Sequence, residues 1–430
     1  MDNIVNALRS LNPWWAKQPF QKEKVIERDV QNEILNTIKL RHIKDILGVR
    51  RSGKTTLIYL IIDKLIQEGV SPKKIFFLSF DDINLSTMSF DEIDKAIVQI
   101  ELEPEYLFLD EAQEKKWWEK WVKGIYDSRR FKQIFVSGSN VSLLSKDVGK
   151  LLTGRHITTV LFPFSFREFL ISNGWKNFDK DYLLAEKNKI LHYLSIYLKY
   201  GGFPETMEKD ESSVNRILSN TYNDIISRDI ATRYSIERGK IDLLAKYLFA
   251  NITREYSYNN LAKNVGINIE TVERYLEYLK ESFLLFSLSV FSYKLKVQYK
   301  QNKKIYAIDT GLRNSISFRF AEDIGQLYEN AVFLELKRRD KEIYYWKGKG
   351  EVDFLVREGL KVKELIQVCK DASGKKTKLR EVSSLCSAAE EFKAKEAKVI
   401  TEDYYGKEKI NNVTIRFIPL WLWLLGYEDK

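Results

Sequence analysis

Residues 48–55 read G-V-R-R-S-G-K-T, a complete G-x-x-x-x-G-K-[ST] phosphate-binding loop. Glycines at 48 and 53 let the backbone turn tightly enough to aim the N–H groups of residues 50–55 at phosphate oxygens. Lys54 supplies a point charge for the β- and γ-phosphates, and the Thr55 hydroxyl can hold Mg²⁺. Gly48, Arg50, Arg51, Ser52, Gly53, Lys54, Thr55 and Thr56 are therefore the candidate nucleotide-binding residues. A second segment, Tyr106-Leu107-Phe108-Leu109-Asp110-Glu111, is an apolar run ending in two carboxylates, the Walker B pattern. Asp110 is expected to hold Mg²⁺ through its water shell, and Glu111, one residue beyond, to orient or deprotonate the attacking water. A third, Gln133-Ile134-Phe135-Val136-Ser137-Gly138-Ser139-Asn140, ends in small polar residues. Asn140 or Ser139 would sense the γ-phosphate there; the same residues also suit an ordinary exit from a strand.

These groups need a frame. The stretch I-K-D-I-L-G before the loop suits a buried strand, and Leu57, Leu60, Ile61 and Leu65 after it put an apolar stripe on a helix. That helix adds the positive end of its dipole to the phosphate site. Strands are predicted at 43–48, 75–80, 106–110, 133–137 and 156–161, alternating with helical patterns, which argues an α/β domain with a mostly parallel sheet. Ligand then belongs at the carboxyl ends of the strands, where the loop and Asp110 both fall. Trp117 and Trp121 share one helical face, as for packing in a core or an interface, with nucleobase stacking the alternative.

From Phe166 to about Ile241 the pattern is helical, broken at Gly201-Gly202-Phe203-Pro204, which suits a lid over the nucleotide. Arg155 precedes it and is the candidate finger for the γ-phosphate of its own or a neighbouring subunit; Arg228 and Arg233 are rivals. Residues 258–276 read helix, turn at Gly266, helix, and the strand-like segments that follow would form a wing. The second helix carries Glu270, Glu273, Glu277 and Glu281 against Arg274 and Lys280, a poor surface for a phosphate backbone. Lys294, Lys296, Lys300, Lys303 and Lys304, interleaved with Tyr293 and Tyr299, are the better candidates for contact with double-stranded DNA. Packing against a protein partner is the competing reading of this region.

Residues 311–430 return to an α/β pattern. Glu329 on a helix, Asp353 on a strand and a third strand through Gln367-Val368-Cys369 have the layout of a PD-(D/E)xK nuclease core. Such a core binds Mg²⁺ with two carboxylates and uses a lysine to activate water. Here an amide stands for the second strand carboxylate, a thiol for the lysine, and Lys370 is displaced by one residue to the other face. A nuclease outline without its chemistry is expected. The apolar run Leu420-Trp421-Leu422-Trp423-Leu424-Leu425 reads as a buried strand.

Length and charge bound the rest. The 430 residues suffice for several domains, and 44% hydrophobic residues supply a large core. A net charge of +10 favours acidic partners but does not specify nucleic acid. Two cysteines, Cys369 and Cys386, fit a reducing compartment. Neither a signal-peptide layout nor an apolar run of membrane-spanning length is found, so a cytoplasmic protein without membrane contact is expected.

Taken together, N-P-W-W near the start, G-V-R-R-S-G-K-T-T, F-L-D-E-A-Q, V-S-G-S-N, L-F-P-F-S-F-R-E-F, Y-G-G-F-P-E, Y-E-N and G-E-V-D-F resemble the prokaryotic, notably archaeal, AAA+-like P-loop ATPases with a C-terminal nuclease-like domain of the DUF4143 type. The resemblance covers nearly the whole chain and implies ATP binding and hydrolysis. The expected architecture is a P-loop NTPase domain of α/β class (1–160), a helical lid (161–241), a winged helix-turn-helix (242–310) and a restriction-endonuclease-like α/β domain (311–430). ATP, ADP and Mg²⁺ are the expected ligands; hydrolysis is expected to drive DNA-associated work, with a nucleotide-dependent switch that recruits a protein partner, or an ATP-gated nuclease, as the alternatives, and an oligomer is compatible with a finger acting in trans.

Overall fold

The computed structural model describes residues 2–18, 25–100, 103–140, 154–294, 296, 298, 301–317, 324–370 and 375–428. Contacts group the chain into two compact units, Met1–Phe162 with Glu281–Phe283, and Pro163–Lys280 with Leu284–Lys430.

The first unit is built on a five-stranded parallel sheet of β1 (Ile43–Leu47), β2 (Ile75–Ser79), β3 (Tyr106–Asp110), β4 (Gln133–Gly138) and β5 (His156–Val160), in the order β2-β3-β4-β1-β5. Strands β2, β3 and β4 read as largely apolar runs because they are buried, whereas edge strand β5, H-I-T-T-V, is only partly covered. The helix Lys54–Gln67 buries Leu57, Ile58, Ile61, Ile62 and Leu65 against Ile46, Phe77, Phe108 and Phe135. Edge strand β2 is blunted by the N-terminal segment. Asn12 donates its amide to Phe77 O (2.9 Å) and accepts from Phe77 N (2.8 Å), and the indole N–H groups of Trp14 and Trp15 both donate to Ile75 O. The N-P-W-W element therefore caps an otherwise open edge.

The tryptophan pattern after β3 is offset by one residue from the expectation. Trp117 has φ 68° and caps the helix Trp118–Ser128. That start buries Trp118, Val122 and Ile125, leaves Trp117 62% exposed, and stacks Trp121 on Phe90 at 4.7 Å. Trp117 and Trp121 thus do not share a buried helical face.

The second unit begins with helices between Phe166 and Ala250, including a π-helical stretch at Ile225–Thr232. Two helices, Tyr258–Val265 and Ile269–Glu281, follow, joined at Gly266 (φ 72°). Beside them lies an antiparallel sheet of β6 (Glu255–Tyr256), β7 (Leu285–Ser289) and β8 (Lys303–Ala307), in the order β6-β8-β7. The C-terminal region is a mixed six-stranded sheet. Its strands are β9 (Glu342–Lys347), β10 (Glu351–Glu358), β11 (Lys361–Val368), β12 (Glu396–Thr401), β13 (Gly406–Ile410) and β14 (Val413–Pro419), in the order β13-β14-β12-β11-β10-β9.

The boundaries drawn near 241 and 310 fall inside this one unit. Asp309 accepts from Gly202 N (2.7 Å) and caps the helix Thr310–Ile316 through Leu312 N (2.7 Å). Asn314 donates to Leu198 O and Lys199 O. Gly311 is required at this crossing: a Cβ there would lie 2.0 Å from Tyr200 O. Leu420–Leu424 is a helix rather than the expected strand, with all five side chains buried. An unbroken apolar run does not distinguish strand from helix, and Pro419, which cannot donate to a ladder, ends β14 and opens the helix.

Candidate functional site

Three strand ends converge where the loop 48–55 leaves β1. Gly48 N donates to Gly138 O at the end of β4, and a Cβ at Gly48 would lie 2.2 Å from Leu161 O, so only glycine passes here. Gly53, in the left-handed region at φ 96°, caps the helix Lys54–Gln67. The first-turn N–H groups of that helix have no carbonyl to serve within it and point out of its end.

Lys54 is buried. Its ammonium donates to Gly48 O (3.2 Å) and Val49 O (3.4 Å) and lies 3.4 Å from Glu111 Oε1. Thr55 Oγ1 donates to Asp110 Oδ2 at 2.8 Å, which places the two expected metal ligands side by side. The second Asp110 oxygen accepts from the Ser137 hydroxyl, and Ser137 Oγ also accepts from Glu111 N at 3.1 Å. Burial, then the neighbouring Glu111 charge, push Asp110 up to about 6, against Ser137, Thr55 and Lys54, which favour its ionised form. Burial acts on Glu111 in the same direction, yet Lys54, the Gln113 amide and Arg50 hold its carboxyl below the usual range. Two adjacent carboxylates are thus set apart by their surroundings.

Glu111 itself has φ 48°, a left-handed conformation that is uncommon for glutamate. It turns the side chain back over the loop, where Gln113 donates to it and also to Ser139 Oγ at 3.3 Å. Asn140 is fully buried at the exit of β4. Arg50, Arg51, Ser52 and Thr56 lie in or beside the loop; Ser52 Oγ is buried and has no hydrogen-bond partner among the described residues. An orphaned hydroxyl in a loop of this shape, beside paired Thr55 and Asp110 oxygens, is a donor and ligand set compatible with a magnesium nucleotide.

Arg155 lies elsewhere. Its carbonyl accepts from Ile43 N at the amino end of β1, its guanidinium is 3.4 Å from Asp127, and it sits over the Tyr126 ring. The five residues of β1 separate it from the loop by about 16 Å at an ordinary strand rise. Arg155 therefore does not reach the γ-phosphate of its own site, which leaves of that expectation only action on a neighbouring subunit. Of its rivals, Arg228 is exposed within the π-helical stretch and Arg233 follows it, half-buried.

Two contributors were not recognised from sequence. Ser137 holds both Asp110 and the Glu111 backbone; the signal was its position at the end of β4, one strand residue before the polar exit. Arg28 is buried and donates to Ser52 O (2.9 Å) and Phe162 O (2.7 Å), clamping the loop from 24 residues upstream. No local pattern marks it.

In the C-terminal region Glu329 and Asp353 do come together, but with a lysine from outside the expected motif. Lys304 Nζ lies 3.1 Å from Glu329, 3.1 Å from Asp353 and 2.7 Å from Glu351. Lys304 is buried, which removes it from the proposed DNA-contacting stretch, and Lys303 is half-buried; Tyr293, Lys294 and Lys296 are exposed, while Tyr299 and Lys300 lie outside the described residues. Gln367 accepts from Asp353 N and donates to Glu381, and Lys370 lies 3.7 Å from Glu402.

A family described as an AAA domain matches residues 40–170, a domain of unknown function, DUF8612, matches 191–323, and another, DUF4143, matches 324–423. A Methanocaldococcus jannaschii protein, uncharacterized protein MJ1544, is 36% identical over 95% of this chain and 92% of its own length. An uncharacterized protein of Haemophilus influenzae is 29% identical over 95% of this chain and 99% of its own. Among solved structures, AMPPCP-bound DnaA from Aquifex aeolicus is 16% identical, covering 59% of this chain and 86% of that one, at a TM-score of 0.26, too low to bear on function. None of the described helices is long and apolar enough to cross a membrane. The chain belongs to the family of proteins that join an AAA domain to a C-terminal DUF4143 domain.

Proposed function

We propose that this protein is a Mg²⁺-dependent ATPase whose reaction takes place at the end of β1, β3 and β4. The observation that carries this reading is the 2.8 Å hydrogen bond between Thr55 Oγ1 and Asp110 Oδ2, beside a buried lysine and a second, separately tuned carboxylate. The loop backbone from 50 to 55, with Gly48 and Gly53 shaping it, would cradle the phosphates, with Thr56 in the helix's first turn. Lys54 would move from Glu111 to the β- and γ-phosphates. Thr55 and Asp110 would hold Mg²⁺, which when bound neutralises charge on the phosphate oxygens. Glu111, released from Lys54, would face water as its orienter or base, and Ser139 and Asn140 would report on the γ-phosphate. Catalysis is then positioning plus charge stabilisation. ATP turnover by the full chain, with and without Mg²⁺, tests it; a Lys54→Ala variant that binds and turns over ATP like wild type would sink it.

For the output of hydrolysis we favour a nucleotide-dependent switch that recruits a protein partner. The solvent side of the helix Ile269–Glu281 exposes Glu270, Glu273 and Glu277 against Arg274 and a half-buried Lys280 that pairs with Glu277, and Lys304 is withdrawn into the interior. A winged helix with that face repels a phosphate backbone. DNA-associated work is the competing reading, with an ATP-gated nuclease as its extreme form. Turnover measured with duplex, forked and single-stranded DNA decides: stimulation by any of them overturns the preference for a protein partner.

A further inference from the structure

We infer that the acidic centre of the C-terminal region is a latent divalent-cation site that Lys304 keeps permanently filled. The three oxygens around its ammonium come from separate places. Glu329 lies on the helix Ile324–Arg338, and Glu351 and Asp353 lie two residues apart on one face of β10. Lys304 comes from β8, which belongs to the three-stranded sheet and not to the six-stranded one. The ammonium donates to Glu329 and Asp353, each at 3.1 Å, and forms an ion pair with Glu351 at 2.7 Å, so three carboxylates surround one charge.

The surroundings are built for a fixed positive charge. Tyr306 donates to the same Glu329 oxygen at 2.7 Å, Asp353 Oδ2 accepts from Val368 N at 3.0 Å, and the Tyr345 ring lies 5.7 Å from Lys304 Nζ. Lys304, Asp353 and Glu329 are shielded from solvent, while the Glu351 side chain is 40% exposed and gives one open side. The carboxylates are spread by the ammonium between them. Among the described residues no group of three or more His, Cys, Asp or Glu is drawn together as a metal site. Mg²⁺ or Mn²⁺ would need the same oxygens nearer, at about 2.1 Å for Mg²⁺, and would have to expel a buried, triply paired ammonium to reach them.

The loss of the expected lysine at Cys369 is thus answered by a lysine from another element, placed on the carboxylates themselves. The wild-type centre takes no metal, and removing the Lys304 charge converts it into an oxygen-ligand site for a divalent ion.

The test is Mn²⁺ binding by the full chain without nucleotide, read as loss of the free-ion electron paramagnetic resonance signal. Each protein is paired with its Asp353→Asn counterpart to separate this centre from the P-loop. Wild type is expected to show no Asp353-dependent binding. Lys304→Met is expected to gain one equivalent of bound Mn²⁺, lost again in Lys304→Met/Asp353→Asn, and Mn²⁺ should raise its melting temperature but not that of wild type. Asp353-dependent binding in wild type overturns the inference, as does a folded Lys304→Met that gains no site. Where Lys304→Met does not fold, Lys304→Gln, which keeps a donor for the centre, is held to the same outcomes. If neither folds, the wild-type pair decides alone.

Discussion

The Lys54 ammonium stands 3.4 Å from Glu111 Oε1, both side chains buried. The residue proposed to reach phosphate is thereby paired with the carboxylate proposed to address water. Phosphate entering the loop would take Lys54 and release Glu111, so binding would arm the site. Lys54→Ala should abolish measurable ATP binding by calorimetry and lower turnover by about 100-fold or more, the scale for loss of a preorganised charge at developing phosphate charge.

Ser137 should matter as much for metal as for stability. Its hydroxyl donates to Asp110 and accepts from Glu111 N. Ser137→Ala strips both from buried groups, at a cost of about 1–3 kcal/mol. Urea unfolding should show that loss, and the Mg²⁺ concentration for half-maximal turnover should rise because Asp110 is no longer oriented. A variant as stable as wild type with an unchanged Mg²⁺ requirement would leave Ser137 without a role.

Arg28 and Arg155 make a contrasting pair. Arg28→Ala removes one donor each from the carbonyls of Ser52 and Phe162. It should destabilise the protein by about 2 kcal/mol and weaken ATP binding, since the loop loses its clamp. Arg155→Ala should leave ATP affinity unchanged, because Arg155 sits at the amino end of the sheet. Equal losses of ATP affinity in the two variants would contradict this placement.

A pH dependence follows from the other side of β1. His156 Nδ1 lies 2.6 Å from Asp45 Oδ2, and Thr158 donates to the same oxygen at 3.2 Å. The hydrogen bond to Asp45, and then its charge, raise His156 above the ordinary imidazole value despite burial. Burial raises Asp45, against His156 and Thr158. A raised histidine stabilises fully below its unfolded value near 6.5 and loses that contribution as pH climbs through the folded value. His156→Asn keeps a neutral donor but no charge. The stability gap between wild type and this variant, from urea titrations, should be largest near pH 5.5 and shrink by pH 8.5. A gap of constant size would mean that His156 does not carry the charge.

Much of this site is local and therefore legible. The loop, β3 and the exit of β4 announce themselves because phosphate and metal chemistry fix residue types at short spacing, and five predicted strands match those observed to within a residue. The misses have physical causes. The left-handed backbone at Trp117 shifts a helix by one residue, and nothing in W-W-E-K-W signals it. Arg28 acts across 24 residues through main-chain oxygens, which carry no sequence signature. Lys303 and Lys304 look alike in a basic stretch, and only the pairing of β8 with β6 and β7 decides which one turns inward. The role of Lys304 also depends on Glu329, Glu351 and Asp353, which are brought to it by tertiary packing.

The most direct test of the ATPase assignment is steady-state turnover of Glu111→Gln, with ATP binding measured on the same preparation. Glutamine keeps the shape of the side chain and removes its capacity to activate water. ATP should bind with Mg²⁺ while turnover falls by at least about 100-fold, the range for loss of a general base. Turnover at the wild-type rate with binding intact would contradict the account.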